Sequence, residues 1–199
     1  SFGAVGNYID TNVSTIDDAA AGRNVAGSIY ISEYDDVELG SVNGLTTASG
    51  DIRVEAGVSA SGALTASKVT AGGSGDIYLT TYNTSDIALG YVNALGDDVT
   101  LISANNITDK DTDGDIDVVA DHLYLQAAGY CGTTGTGAAI DTDAAYIDNV
   151  AGNVVAGSIY INENDGVTLG ATNGLTSTSG PIYITAANNG DGTLTAAAV

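Results

Sequence analysis

The chain has 199 residues, with 25 Asp and Glu against 4 Lys and Arg, a formal net charge of −21. Nucleic acid is excluded as a partner, because binding phosphate needs basic residues that displace its counterions. No apolar run approaches the ~20 residues of a membrane helix, so no membrane insertion is expected. One cysteine, Cys131, and one histidine, His122, exclude an internal disulfide and a Cys/His metal site.

Most of the acidity is Asp, which favours turns, whereas Glu favours helices. Ile, Val, Thr and Tyr fit pleated strands, and 27 Gly supply corners. The composition predicts an all-β chain with many tight turns, and 44% hydrophobic residues are enough for a core. Cys131 is expected as a small buried hydrophobe. The opening Ser1-Phe2-Gly3 lacks the basic and apolar regions of an export signal, which is therefore expected upstream or already removed.

In chain order, Ile9-Asp10-Thr11 comes first. Gly27 then leads the triplet Ile29-Tyr30-Ile31, followed by Val37-Glu38-Leu39-Gly40 and Asn43-Gly44-Leu45. Gly50 leads Ile52-Arg53-Val54, with Arg where sister copies carry Tyr. Gly75 leads Ile77-Tyr78-Leu79, then Ile87-Ala88-Leu89-Gly90 and Asn93-Ala94-Leu95. Val99/Leu101 is a degenerate copy, Gly114 leads Ile116/Val118, and His122 precedes Leu123-Tyr124-Leu125 as a surface or strand-edge residue. Ile140-Asp141-Thr142 repeats the opening strand. Gly157 leads Ile159-Tyr160-Ile161, then Val167-Thr168-Leu169-Gly170 and Asn173-Gly174-Leu175, and Gly180 leads Ile182-Tyr183-Ile184.

The intervals 27 to 50, 50 to 75 and 157 to 180 are 23, 25 and 23 residues, and a super-repeat of about 130 residues overlies them. Alternation places both apolar residues of each triplet on one face. Triplets this short cannot stand as hairpins, but they suit coils in which each strand pairs with its equivalent one turn away. A row of sandwiches would repeat at roughly 100 residues, with longer strands. The expected fold is all-β, a right-handed parallel β-helix (β-solenoid) with rungs of roughly 22–25 residues. Residues 1–199 read as one continuous solenoid, a segment of a longer tandem array. The glycines are expected to mark corners of positive φ, and Asn43, Asn93 and Asn173 left-handed or side-chain-bonded corners. Pro181 opens a strand, where its missing N–H is tolerated.

Two patterns carry chemistry. Asp109-Lys110-Asp111-Thr112-Asp113-Gly114-Asp115-Ile116-Asp117 has the alternating carboxylates and central glycine of a calcium loop. Ala120 stands where an EF-hand places its bidentate Glu and no helices flank it, so the expectation is a solenoid loop binding calcium through Asp109, Asp111, Asp113 and Asp117, with Asp115 a further candidate. The plain alternative is a solvated acidic turn. Gly72-Gly73-Ser74-Gly75-Asp76-Ile77 approximates a β-roll nonapeptide, but its Asp is one place early. Tyr30, Tyr78, Tyr160 and Tyr183 hold the outward place of their triplets and are expected to line one external face, for stacking, lateral packing or glycan contact. The pairs Asp17/Asp18, Asp35/Asp36 and Asp97/Asp98 read as solubilising corners.

The run Ala128-Gly129-Tyr130-Cys131-Gly132-Thr133, Ile140-Asp141-Thr142, Val155 to Ile161 and Gly166 to Gly170, with its earlier copy from Ile9 to Gly40, resembles the repeats of large secreted adhesins of the filamentous haemagglutinin type. The resemblance implies a right-handed parallel β-helix, bacterial surface exposure or secretion, and attachment or filament building. The expected function is thus an extracellular structural or adhesive fibre segment at the cell surface, not an enzyme. Its partners would be neighbouring copies of the same protein and glycans. The alternative is a polysaccharide-binding or polysaccharide-degrading β-helix, since carboxylates are plentiful, although no repeat copy stands out as catalytic.

Overall fold

A computed structural model describes residues 1–135, 138–186 and 192–199. Its strands are short, as in Ile29–Glu33 and Val37–Leu39, apart from the ten-residue Val118–Ala127 and Ile140–Asn149. Among the described residues there is no helix. Every strand pairing is parallel, each strand lying against its equivalent one turn away.

Residues in register trace the coil. One column runs Ile29, Ile52, Ile77, Val99, Leu123, Ile147, Leu169, Ala196. Its first five steps are 23, 25, 22, 24 and 24 residues, the rung length the repeats predict. A second column runs Val37, Leu64, Ile87, Ile107, Cys131, Ile159, Ile182. A third runs Leu45, Val69, Val92, Val118, Thr142, Glu163. The chain is a β-solenoid.

Strand alternation sends one residue in two into the coil. Ile52, Val54 and Ala56 are fully buried, while Arg53 and Glu55 between them are partly exposed. A buried Ile, Leu or Val contributes about 1.5–3 kcal/mol relative to exposure. No single turn encloses its own side chains, so stability belongs to neighbouring turns jointly. Cys131 sits between Ile107 and Ile159 in its column, as a small hydrophobe should, and burial pushes its thiol up to about 12.

Among the leading glycines Gly114 takes the expected positive φ (84°), whereas Gly50 and Gly180 are glycine for a different reason. A Cβ on Gly50 would lie 2.6 Å from the Ser28 backbone nitrogen, and one on Gly180 would lie 2.5 Å from that of Ser158. Stacked turns approach too closely there for any side chain, and neither glycine has positive φ. Positive φ falls also on the corner glycines Gly40 (69°) and Gly170 (66°). Asn43 and Asn173 are not left-handed. Their side-chain amides donate to the carbonyls of Asp18 (2.9 Å) and Asn149 (3.1 Å), one turn below.

The corner carboxylates are structural as well as solubilising. Asp17 accepts from the Val42 and Asn43 amides (both 3.0 Å), Asp86 from Asn106 (2.9 Å), and Asp148 from Thr172 and Asn173 (2.9 and 2.7 Å). Each bond joins one turn to the next, satisfying corner amides that no strand ladder reaches. An Asp side chain is short enough to do this beside its own backbone, which accounts for the preference for Asp over Glu.

The two super-repeat copies keep their local pairings. Ile9–Thr11 pairs Ile31–Glu33 just as Ile140–Thr142 pairs Ile161–Glu163. Their places in the solenoid differ. Ile29 belongs to the first column, which reaches Ile147 after five steps, whereas its counterpart Ile159 belongs to the second. The super-repeat is not a whole number of turns.

Candidate functional site

The acidic loop leaves the strand Ile107–Asp109 and rejoins the solenoid at Val118–Ala127. Asp109 closes the first strand, and its Oδ1 accepts from the amides of Asp111 and Thr112 (both 3.0 Å), a turn in which Thr112 takes φ +55°. Asp113 Oδ1 accepts from the Asp115 amide (2.8 Å). Local side-chain bonds of this type form wherever short carboxylates precede free amides.

Of the five predicted ligands, the structure brings together Asp109 and Asp117 and leaves Asp111, Asp113 and Asp115 exposed. The third carboxylate beside Asp109 and Asp117 is Asp141, from the next turn, and the three offer oxygens all within 4.8 Å of one another. Backbone pairing makes the juxtaposition. The Asp117 amide donates to the Asp141 carbonyl (2.8 Å), and the Asp141 amide donates to Asp117 Oδ2 (2.9 Å). Asp117 is 2% exposed and Asp141 4%. Asp141 Oδ1 accepts from Asn162 Nδ2 (3.3 Å), while Oδ2 of both Asp141 and Asp109 is buried without a hydrogen-bond partner.

No basic side chain of the loop compensates these carboxylates. Lys110 turns away along the outer face to Glu38 (3.1 Å) and Ser67 Oγ (2.6 Å). Burial, followed by the neighbouring Asp109 and Asp141 charges, pushes the Asp117 carboxyl up to about 8. Burial also raises Asp141, with added repulsion from Asp109, Asp113 and Asp115. The oxygen-only donor set suits a hard divalent cation. Asp141 was missed in the sequence, although Ile116-Asp117 and Ile140-Asp141 repeat one dipeptide at the rung spacing.

A second acidic group, Asp143, Glu163 and Asp165, has a different character. Glu163 is fully buried and saturated, accepting from Thr142 Oγ1 (2.5 Å) and the Ala144 amide (3.2 Å). Burial brings its carboxyl up to about 7. Glu33 holds the same position in the first copy, accepting from Thr11 Oγ1 (2.5 Å) and the Val13 amide (3.2 Å). These glutamates are internal caps between turns.

The tyrosines do not share one face. Tyr30 and Tyr78 stand in one outward column with Arg53 between them, while Tyr160 and Tyr183 stand in another. The cause is the fractional super-repeat, which carries the second copy to a different side of the coil. Tyr30 is nearly buried, edge-on to Tyr8 at 5.9 Å, and its hydroxyl donates to Asp51 (3.1 Å). The Arg53 guanidinium lies 3.5 Å over the Tyr78 ring, as its outward position predicts. Tyr160 and Tyr183 stack at 5.3 Å, and the exposed Tyr183 forms one wall of a shallow groove with Thr133, Asn162 and Thr185. His122 stacks on Tyr146 at 4.3 Å, a partly exposed place within a strand.

Comparison with protein-family models, with curated proteins and with solved structures returned no match to this chain.

Proposed function

We propose that this chain is a section of an extracellular structural or adhesive shaft, displayed on a cell surface or in a secreted filament, and that it works without catalysis. The single observation carrying this is the first apolar column, Ile29 through Ala196, whose parallel ladders stack turn on turn along one axis. A body of this form resists extension because its hydrogen bonds lie along the axis and its core has no seam between domains. The corner carboxylates and the exposed Asp111, Asp113 and Asp115 of the acidic loop keep the sides anionic, which opposes lateral aggregation. The likeness of its repeats to secreted adhesins of the filamentous haemagglutinin type supports the same reading.

Electron microscopy of the native material tests the proposal. Slender rods growing by about 4.8 Å per turn are expected, and discrete globular particles would sink it.

A second reading, glycan contact, is favoured by the Tyr160/Tyr183 stack and its groove, since paired rings present a flat apolar platform to a sugar. Retention on a glycan array that disappears in Tyr183→Ala is the expected outcome. Retention unchanged by that substitution would remove Tyr183 from the account.

A further inference from the structure

We propose that Asp109, Asp117 and Asp141 form a calcium site that ties two successive turns of the solenoid together. This goes beyond the shaft proposal and holds or fails independently of it. Three oxygens within 4.8 Å of one another can share one ion at the 2.3–2.6 Å bond lengths of calcium. The donors come from both ends of the acidic loop and from the strand one turn on, so a bound ion bridges segments that the backbone ladder alone would join.

Orphaned oxygens gathered in a cluster of three carboxylates separate this site from an ordinary acidic corner; Asp148 also leaves a buried Oδ2 without a partner, but among the described residues it belongs to no such cluster. At Asp17 and Glu163 the carboxylates are occupied by amides and hydroxyls. Asp141 is 96% removed from solvent, its Oδ1 is engaged by Asn162, and Oδ2 is the oxygen left for the cluster. Asp109 likewise retains a buried, unpartnered Oδ2. A buried carboxylate oxygen without a donor is costly unless something cationic meets it, and Lys110 is committed elsewhere. Water or the exposed loop carboxylates complete the coordination shell. Asp111, Asp113 and Asp115 attract the ion and are not its principal ligands.

The experiment uses terbium as a luminescent calcium substitute, excited through tyrosine. Tyr130 shares a small cavity with Asp109 and is placed to sensitise it. The parent protein is expected to give saturable luminescence displaced by calcium, and calcium is expected to raise its melting temperature by several degrees. Asp117→Asn or Asp141→Asn should weaken calcium binding about ten-fold or more, and the combined Asp111→Asn, Asp113→Asn, Asp115→Asn variant only about three-fold or less. Circular dichroism reports whether each variant folds. If the buried-site variants do not fold, the parent and the triple loop variant still decide. Calcium binding retained in the triple variant upholds the site, and binding abolished there places the ion in the loop and overturns it. A parent protein showing neither luminescence nor a melting shift also overturns it.

Discussion

The segments Gly27–Leu45 and Gly157–Leu175 share a motif and its local bonds but not a position on the coil. In both, a Gly-led triplet receives the strand below it, a buried Glu caps a Thr hydroxyl, and an Asp accepts two corner amides. Yet Ile29 stacks in one column and Ile159 in another. Pairing between adjacent turns is thus written locally, by residues about one rung apart. Where a motif faces depends on the summed length of all intervening turns, including loops such as 110–117. Local chemistry is repeated faithfully while outward geometry drifts.

The largest effect should come from the core. Ile159→Ala, between Cys131 and Ile182, is expected to cost about 2–5 kcal/mol in urea unfolding. Ile29→Ala, at the equivalent place in the first copy and only 2% exposed, is expected to cost a similar amount, and a much smaller loss would mean that the two copies are not packed alike. Next, Gly50→Ala and Gly180→Ala should each destabilise by about 1–3 kcal/mol through collision with the backbone of the turn below. A neutral result at either would show that the turns can separate there.

Corner carboxylates should sort by burial. Asp148→Ala, with its carboxylate fully buried, is expected to cost about 1–3 kcal/mol, and the more exposed Asp17→Ala about half that or less, measured by the same unfolding curves. A pH series sharpens the comparison further. The Glu163 carboxyl rises from 4.5 to about 7 on folding. Between those values the folded chain holds a proton that the unfolded chain has released. This stabilising contribution is present below about pH 4.5 and disappears as pH rises through 7. In chelator-containing buffer, Glu163→Gln should therefore flatten part of the fall in melting temperature over that window, and an unchanged slope would assign the fall to other groups. The smallest effect is expected for Arg53→Ala, about 0.5–1 kcal/mol from the lost cation–π contact with Tyr78.

The fold was legible because its signals are short-range and repeated. Alternating Ile-x-Ile triplets at a period near 23 residues specify both the inward face and the stacking partner. Positive φ was legible at Gly40, Gly114 and Gly170, but the reason for Gly50 and Gly180 was not, since a close approach between turns leaves no trace in the glycine's own neighbours. Asp141 escaped notice because the Asp109–Asp117 motif looks complete within one loop, while the ligand set crosses turns. The tyrosine face was misjudged for a related reason. Equivalent positions in a repeat share an azimuth only when the repeat closes on a whole turn, and 130 residues here do not.

That fractional closure bears on how such a rod meets its surroundings. Like strands come round at a new bearing in each copy, as marks on a winding staircase do when its flights do not end above one another. A partner gripping the Tyr30–Arg53–Tyr78 stripe would find no matching stripe directly above it. Contacts would instead spiral around the rod, so no one side becomes a sticky rail along which identical rods could zip together.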